Sequence, residues 1–473
     1  MAAANAADLS LDSVKDPLPD TLSWSGITLY GTIDVGYGYQ SHGAPLGGSF
    51  PQGVSYNIYS SKYANKAISG LDPNAIERSA IGLKVEEPIG AGWAAIARLE
   101  TSFDPLTGEL SDGPSSLLRN AGKALAYQSA NGDSGRAGQA FNGPLYAGVS
   151  NASYGTLTVG RQQSLQLDVS AAYDPQNLAY AFSLLGWSSS LVGSGITEAA
   201  RWDNSVKYSY EYGPVHAAAE YAQGGDDTGF FGPAYGFNIG GKLAGFSVDA
   251  VYQKVNAGVQ LSADASTPAN IYSAPATYST SALKAQITDS DSWSVQGKYT
   301  FGLGGGFKDG GYKNDFADGA KLTLYAGFED IRFYNSSAAR DLEYVGRTAI
   351  GGYLIGTPIG SSYYYSSTRE LQVEWGGVKY ELPSGWSFTA AYYHLDQNSF
   401  TGKVSGPQVG SPNQQPGTNS GSYDDASFVV DYRFTKHFDV YGGINYSTIG
   451  GGLASGYLAN NNTSFVTGAR LKF

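Results

Sequence analysis

The sequence predicts an all-β protein, a transmembrane antiparallel β-barrel of about sixteen strands. Three observations point there. Apolar and polar residues alternate in segments of about ten residues, the length a tilted strand needs to cross a hydrocarbon core. Aromatic residues cluster at the ends of the apolar faces, as membrane-interface girdles require, and connections alternate between very short and long.

Composition supports strands over helices. The chain has 473 residues with 64 Gly, 36 Tyr and 20 Phe, while only 15% are charged, which suits strands, tight turns and amphipathic rings. Cysteine is absent, so no disulfide or thiolate metal site holds the fold, and four scattered histidines do not replace one. A formal charge of −12 argues against nucleic acid as a partner, because phosphate contacts need clustered Lys and Arg. No stretch approaches the length of a membrane-spanning helix, and a hydrophobic signal core is missing. The opening Met1-Ala2-Ala3-Ala4-Asn5-Ala6-Ala7 reads as the small-residue remnant of a cleavage site behind an added start methionine. Residues 1–26 are accordingly expected to be a periplasmic extension and residues 27–473 the barrel.

Each strand is justified by its period of two. Ile27, Leu29, Ile33, Val35 and Tyr37 oppose Thr28, Thr32 and Asp34; Ile81, Leu83 and Val85 oppose Arg78, Lys84 and Glu86. Trp93, Ala95, Ala97 and Leu99 oppose Arg98 and Glu100, and Val206, Tyr208, Tyr210 and Tyr212 oppose Arg201, Asp203, Lys207 and Glu211. Trp293, Val295, Tyr299 and Phe301 oppose Ser294, Gln296, Lys298 and Thr300; Phe428, Val430, Tyr432 and Phe434 oppose Ser427, Asp431 and Arg433. The chain closes with Phe465, Thr467, Ala469, Leu471 and Phe473 opposite Ser464, Arg470 and Lys472. Strand starts are expected near Ile27, Arg78, Trp93, Leu145, Gly155, Arg201, Val215 and Tyr235, and then near Phe246, Ser292, Lys321, Glu370, Trp386, Ala426, Phe438 and Thr463. An even number closes the barrel and leaves no sheet edge unpaired. Short connections such as Tyr212-Gly213-Pro214, Leu382-Pro383-Ser384-Gly385 and Thr435-Lys436-His437 are the periplasmic turns. Residues 40–77, 104–143, 162–200, 260–291, 337–368 and 399–425 are the external loops, and 302–320 is an over-long turn on the periplasmic side.

The residues resemble the Gram-negative general porins, particularly the proteobacterial trimeric type. The match rests on Ile27-Thr28-Leu29-Tyr30-Gly31-Thr32-Ile33-Asp34, Arg78-Ser79-Ala80-Ile81-Gly82-Leu83-Lys84, Tyr154-Gly155-Thr156-Leu157-Thr158-Val159-Gly160-Arg161-Gln162 and the terminal Gly468-Ala469-Arg470-Leu471-Lys472-Phe473. That resemblance implies a homotrimer in the outer membrane, in contact with lipid and lipopolysaccharide, passing small polar solutes and ions through a water-filled lumen without a cofactor. It also implies a third external loop, residues 162–200, folded into the barrel, with Leu178 to Trp187 packed on the inner wall. By motif position Arg78, Arg161 and Arg201 match wall arginines and Glu100 a wall acid. Lumen parity independently adds Lys84 and Arg98, and the loop offers Asp168 and Asp174 as facing carboxylates. In such a constriction the field between the two sides sorts solutes by charge. Arg161 shares parity with Leu157 and Val159, so it reaches the pore only through a bulge or on a strand whose outer side meets another subunit. The basic wall tilts the expected selectivity towards anions.

Other readings have less behind them. No HExxH, nucleophile elbow or Walker loop marks an enzyme, Ser281-Ala282-Leu283-Lys284 lies in a Ser/Thr-rich loop without partners, and neither His216 nor His394 has a second histidine at ligand spacing. A substrate-selective channel with a saturable solute site is the main alternative, with Tyr363-Tyr364-Tyr365 and Tyr392-Tyr393 as stacking candidates. Asp226-Asp227 and Asp424-Asp425 match no cation loop and read as solvated charge.

Overall fold

A computed structural model describes residues 21–42, 67–106, 108, 140–186, 201–224, 232–263, 283–303, 319–335, 347–350, 353–356, 362–365, 367–400, 402–405, 420–454 and 459–473. The N-terminal half of the wall is built from β1 (Ile27–Gln40), β2 (Ala80–Gly90), β3 (Trp93–Ser102), β4 (Leu145–Asn151), β5 (Gly155–Gln163), β6 (Arg201–Tyr212), β7 (Val215–Ala222) and β8 (Ala234–Leu243). The other half is β9 (Phe246–Ala263), β10 (Leu283–Leu303), β11 (Ala320–Asn335), β12 (Arg369–Glu381), β13 (Trp386–Gln397), β14 (Gly421–Arg433), β15 (Phe438–Ile449) and β16 (Asn461–Lys472). Every neighbouring pair is antiparallel, and β1 pairs with β16 from Thr32↔Lys472 to Gln40↔Ser464, which closes the cylinder.

Two short strands complete the sheet. Leu22–Trp24 folds back on β1 through Ser25 and Gly26, both at positive φ, so the end of the expected extension is a hairpin on the barrel wall. Ile68–Pro73 pairs with the upper half of β1 while β2 pairs with the lower half, so part of the expected first loop continues the wall. Residues 1–20 and most of the expected loops, with Tyr363-Tyr364-Tyr365 side chains, Asp226-Asp227, Trp187 and 304–318, lie outside the described residues or side chains. Two strands begin earlier than alternation indicated: β10 at Leu283, with β9 running to Ala263, and β14 at Gly421. The β10 extension carries a short apolar face, Leu283, Ala285 and Ile287 alternating with Lys284, Gln286 and Thr288, within a stretch read as loop, whereas Gly421 to Asp425 is largely polar on both sides.

The outer face is oily between two aromatic rings. Tyr39, Tyr221, Tyr252, Trp293, Tyr392, Tyr446 and Phe465 lie exposed towards the loop end, and Tyr212, Phe246, Tyr299, Phe301, Trp386, Phe434 and Phe438 towards the short turns. Trp293 and Phe301 are separated by roughly 26 Å along the strand, or about 20 Å after a tilt of about 40°, close to the ~25 Å apolar band of such barrels. Above the upper ring the outer row turns polar, with Asp291, Arg332, Glu374, His394, Asp396 and Asp424.

Alternation inverts on the upper part of β12. Leu371, Val373 and Trp375 are buried on the inner face, whereas Glu370, Gln372 and Glu374 point outwards. The apolar inner row continues through Ile331, Phe333, Tyr393, Leu395, Tyr423 and Ile449, and it is covered by Leu184 and Leu185. A second inner patch, Val429, Tyr441 and Val466, is covered by Ala179, Ala181 and Phe182. A chain segment inside the barrel thus supplies the partner that lipid supplies outside.

Closure depends on a tight crossing at Gly31, which exchanges backbone hydrogen bonds with Phe473 at 2.9 and 3.0 Å. A Cβ there would stand 2.4 Å from the Phe473 ring and 2.8 Å from the Ala80 carbonyl. Gly31→Val is therefore expected to destabilise the closed barrel by about 1–3 kcal/mol, read as a lower temperature for the heat-induced mobility shift on SDS gels; an unchanged transition would contradict the assigned closure.

Candidate functional site

The inner segment begins at α1 (Leu165–Tyr173), capped by Ser164, whose Oγ accepts from Leu167 N at 3.3 Å. Its polar residues bind inner-face side chains of the wall. Gln166 N donates to Gln253 Oε1 at 3.0 Å, Ser294 Oγ donates to Gln166 Oε1 at 2.8 Å, and Gln296 Nε2 donates to Ser170 Oγ at 3.2 Å. Tyr173 OH donates to Asp249 Oδ2 at 2.5 Å, and Trp375 Nε1 donates to the Tyr173 carbonyl at 3.3 Å. Further along, Gln176 Nε2 reaches Ser427 Oγ at 2.9 Å and Ala181 N reaches the Ala75 carbonyl at 2.9 Å. The segment from Leu165 to Gly186 therefore runs along the inner wall from β9 to β16 and returns to the chain just ahead of β2.

On β1 to β3, basic residues converge. Register places Thr28, Lys84 and Arg98 in one inner row and Tyr30, Gly82 and Glu100 in the next. Glu100 accepts from Arg98 Nη2 at 2.8 Å, from Tyr30 OH at 2.9 Å and from Arg78 Nη2 at 3.4 Å. Arg98 Nε also donates to Tyr30 OH at 2.7 Å, and Lys84 Nζ stands 4.8 Å from the Tyr30 ring centroid. The Arg201 charge lies within electrostatic reach of Glu100. The structure thus brings Arg78, Lys84, Arg98, Arg201 and Glu100 together, four cations around one carboxylate.

Arg161 stands apart from them. The β5–β6 register slips between Gly160 and Gln162, and Arg161 falls in the slip beside Asp203. Its guanidinium is closed by Asp203 Oδ1 at 2.5 Å and by the carbonyls of Gly143 and Asn142, both at 3.1 Å. Those bonds tie the loop end of β4 to that of β6. The same slip, with Asn204 at φ 52°, puts Trp202 on the inner row against Ala222, Ala234 and Val255, so the simple parity of Arg201 and Asp203 with Lys207 does not hold.

Neither loop carboxylate faces open water without a partner. Asp168 Oδ2 is 2.9 Å from Lys207 Nζ, which also lies 3.5 Å from Glu220. Asp174 is buried and accepts from Tyr393 OH at 2.5 Å, Leu178 N at 2.6 Å and Gln176 N at 3.3 Å. Burial pushes its carboxyl above the usual range, and these donors draw it part of the way back. Asp174 is an anchor for the inner segment.

Sequence reasoning passed over Tyr30 and offered Tyr393 only as a solute-stacking candidate, whereas it is buried and donates to Asp174. Tyr30 was accessible, because it sits on the polar parity between Thr28 and Thr32; a tyrosine there is bonded at both its ring face and its hydroxyl. Tyr393 was hidden by the inversion of the inner face near β12.

Among the described residues no cluster of three or more His, Asp or Glu could hold a metal ion. The geometry is that of a closed transmembrane barrel with a chain segment packed on one side of its inner wall and charge gathered on the other, a channel architecture. The chain belongs to the Gram-negative porin family, whose model matches residues 1–451. It is 23% identical over 321 residues to an outer membrane porin of Bordetella pertussis, covering 64% of this chain and 74% of that one. In structure it is similar to an anion-selective porin from Comamonas acidovorans, with TM-score 0.54 and 13% identity over 94% of this chain and 99% of that chain. It is also similar to OmpT of Vibrio cholerae in a trimer form, with TM-score 0.50 and 12% identity over 94% and 99% of the two chains. It is an outer-membrane channel for passive diffusion, and that identity points away from an enzyme.

Removing the Asp174 carboxylate strands the Tyr393 hydroxyl and the Leu178 amide in a buried setting. Asp174→Ala is expected to weaken docking of the inner segment by about 1–3 kcal/mol, seen as noisier and larger single-channel conductance; a quiet channel of unchanged conductance would show that the segment is held elsewhere.

Proposed function

We propose that this channel is a homotrimeric general porin that favours small anions, and that Arg78, Lys84, Arg98 and Arg201 with Glu100 set the preference. The single observation carrying this reading is the gathering of four cations around one carboxylate on the stretch of wall that the inner segment leaves open. The inner segment's Asp168 and Asp174 are engaged by Lys207 and by Tyr393, so the opposing side offers little free negative charge. A basic wall concentrates anions and repels cations when field lines are focused by the low-dielectric barrel. Arg161 supports the aperture indirectly by fixing the loop ends of β4 and β6.

The similar proteins are in keeping with this: the Comamonas porin is described as anion-selective and the Vibrio porin as a trimer. Lipid is the expected neighbour of the oily band, and lipopolysaccharide headgroups would lie level with the polar row above it.

Reversal potentials in planar bilayers under a potassium chloride gradient test the assignment. The wild-type channel should favour chloride, and Arg78→Ala, Arg98→Gln and Arg201→Ala should each lower the chloride-to-potassium permeability ratio by about two-fold or more, whereas Glu100→Gln should raise it. Ratios unmoved by all four changes would remove these residues from the selectivity mechanism. Current that saturates with one particular solute would favour the substrate-selective alternative.

A further inference from the structure

A second group of cations lies on the other side of α1, towards the short turns. Lys242 is the penultimate residue of β8, directly before the turn to β9, and it pairs across the sheet with Ser247. Ser247 pairs in turn with Lys298 of β10, and Lys298 with Tyr325 of β11. Thr323, the next inner residue of β11, pairs with Lys379 of β12. Three lysines from three strands therefore share the inner face at the periplasmic end, and Lys242 and Lys379 are both within electrostatic reach of Lys298. Lys298 is held in place: its Nζ donates to the Ala172 carbonyl at 2.8 Å and stands 5.4 and 5.9 Å from the ring centroids of Tyr173 and Tyr325.

The neighbouring acids offset this charge only in part. Asp249 is bonded to Tyr173, to His216 Nε2 at 2.6 Å and to Asn238 Nδ2 at 2.8 Å, while Glu381, 3.5 Å from Lys379, balances that one lysine. Asp431 also feels Lys379, yet Arg470 lies 3.6 Å from it. Like charges brought together from separate strands repel one another, and the repulsion is relieved when an anion enters between them. We propose that Lys242, Lys298 and Lys379 form a second anion site, on the periplasmic side of the inner segment, that takes small oxyanions such as phosphate or carboxylates. Lys298 is fixed by α1 and by two tyrosine rings, and Lys242 and Lys379 provide the other two ammonium groups, that of Lys379 shared with Glu381. An anion that has passed the arginine wall meets this site before the periplasmic mouth.

The site rests on the anion-favouring reading of the wall, and one experiment separates the two. Inorganic phosphate is added to one side at a time of channels inserted in known orientation, and the reduction of chloride current is measured. Lys298 also caps α1, so the informative variants are Lys242→Gln, Lys379→Gln and their double. Phosphate should reduce the wild-type current more strongly from the periplasmic side, and the double variant should weaken that block about five-fold or more while Arg98→Gln leaves its sidedness intact. Equal block from both sides, no block of the wild type, or undiminished block in the double variant would each overturn the site. If the arginine variants leave the permeability ratio unchanged while the lysine double variant loses the block, the wall reading falls and the periplasmic site stands.

Discussion

Inside a hydrocarbon layer a strand's amides and carbonyls find no water, and each one left unpaired costs several kcal/mol. The rest of this structure follows from that constraint. Sixteen strands must close on themselves, so β1 has to meet β16, and it does so over nine residue pairs from Thr32 to Gln40. Closure fixes which side of every strand faces lipid. A one-residue slip would exchange oily and wet faces, which makes register the quantity that the membrane enforces.

The same logic, turned inwards, accounts for the inner segment. A strand row lined with Leu371, Val373 and Trp375 is unfavourable against lumen water, as a charged row would be against lipid. Leu184, Leu185 and Phe182 remove that row from water, and the polar bonds of α1 with Ser294, Gln296 and Gln253 satisfy several of the groups enclosed between loop and wall. At roughly 25 cal/mol per Å² of apolar surface buried, a few large side chains are worth several kcal/mol. That is enough to keep a loop inside a wet cavity. The segment is thus held by the part of the wall it covers, and the opening is confined to the remainder.

Much of this was legible in the sequence because lipid imposes a one-dimensional pattern. Trp293, Val295, Tyr299 and Phe301 declare their face without any knowledge of neighbours, and the starts of β1, β3 to β7, β9, β13 and β15 fall where alternation puts them. Lys84 and Arg98 were legible for the same reason, as wet residues on otherwise oily strands, while Arg78 and Glu100 were read from their positions in porin-like motifs. The rest depended on tertiary facts. Leu371 and Val373 look like lipid-facing residues until the covering loop is known. Arg161 and Arg201 lie at a register slip that breaks the parity rule, and Asp174 is a loop carboxylate like any other until Tyr393 is seen to enclose it.

The charge arrangement on the wall also bears on why one carboxylate is kept among the cations. Two unit charges about 7 Å apart repel by about 0.6 kcal/mol in a water-like medium and by about 2.4 kcal/mol at an effective dielectric constant of 20. Four cations without a counter-charge would sum several such terms. Glu100 offsets part of this cost, and Tyr30 helps by accepting from Arg98 and offering its ring to Lys84. Yet Glu100 is only 7% exposed and makes short contacts to its donors, so its charge is largely spent on the arginines beside it. The carboxylate holds the guanidinium groups in position while leaving a surplus of positive charge for a passing ion. A wall arranged in this way orders its cations without cancelling them, which is what the proposed preference for anions demands.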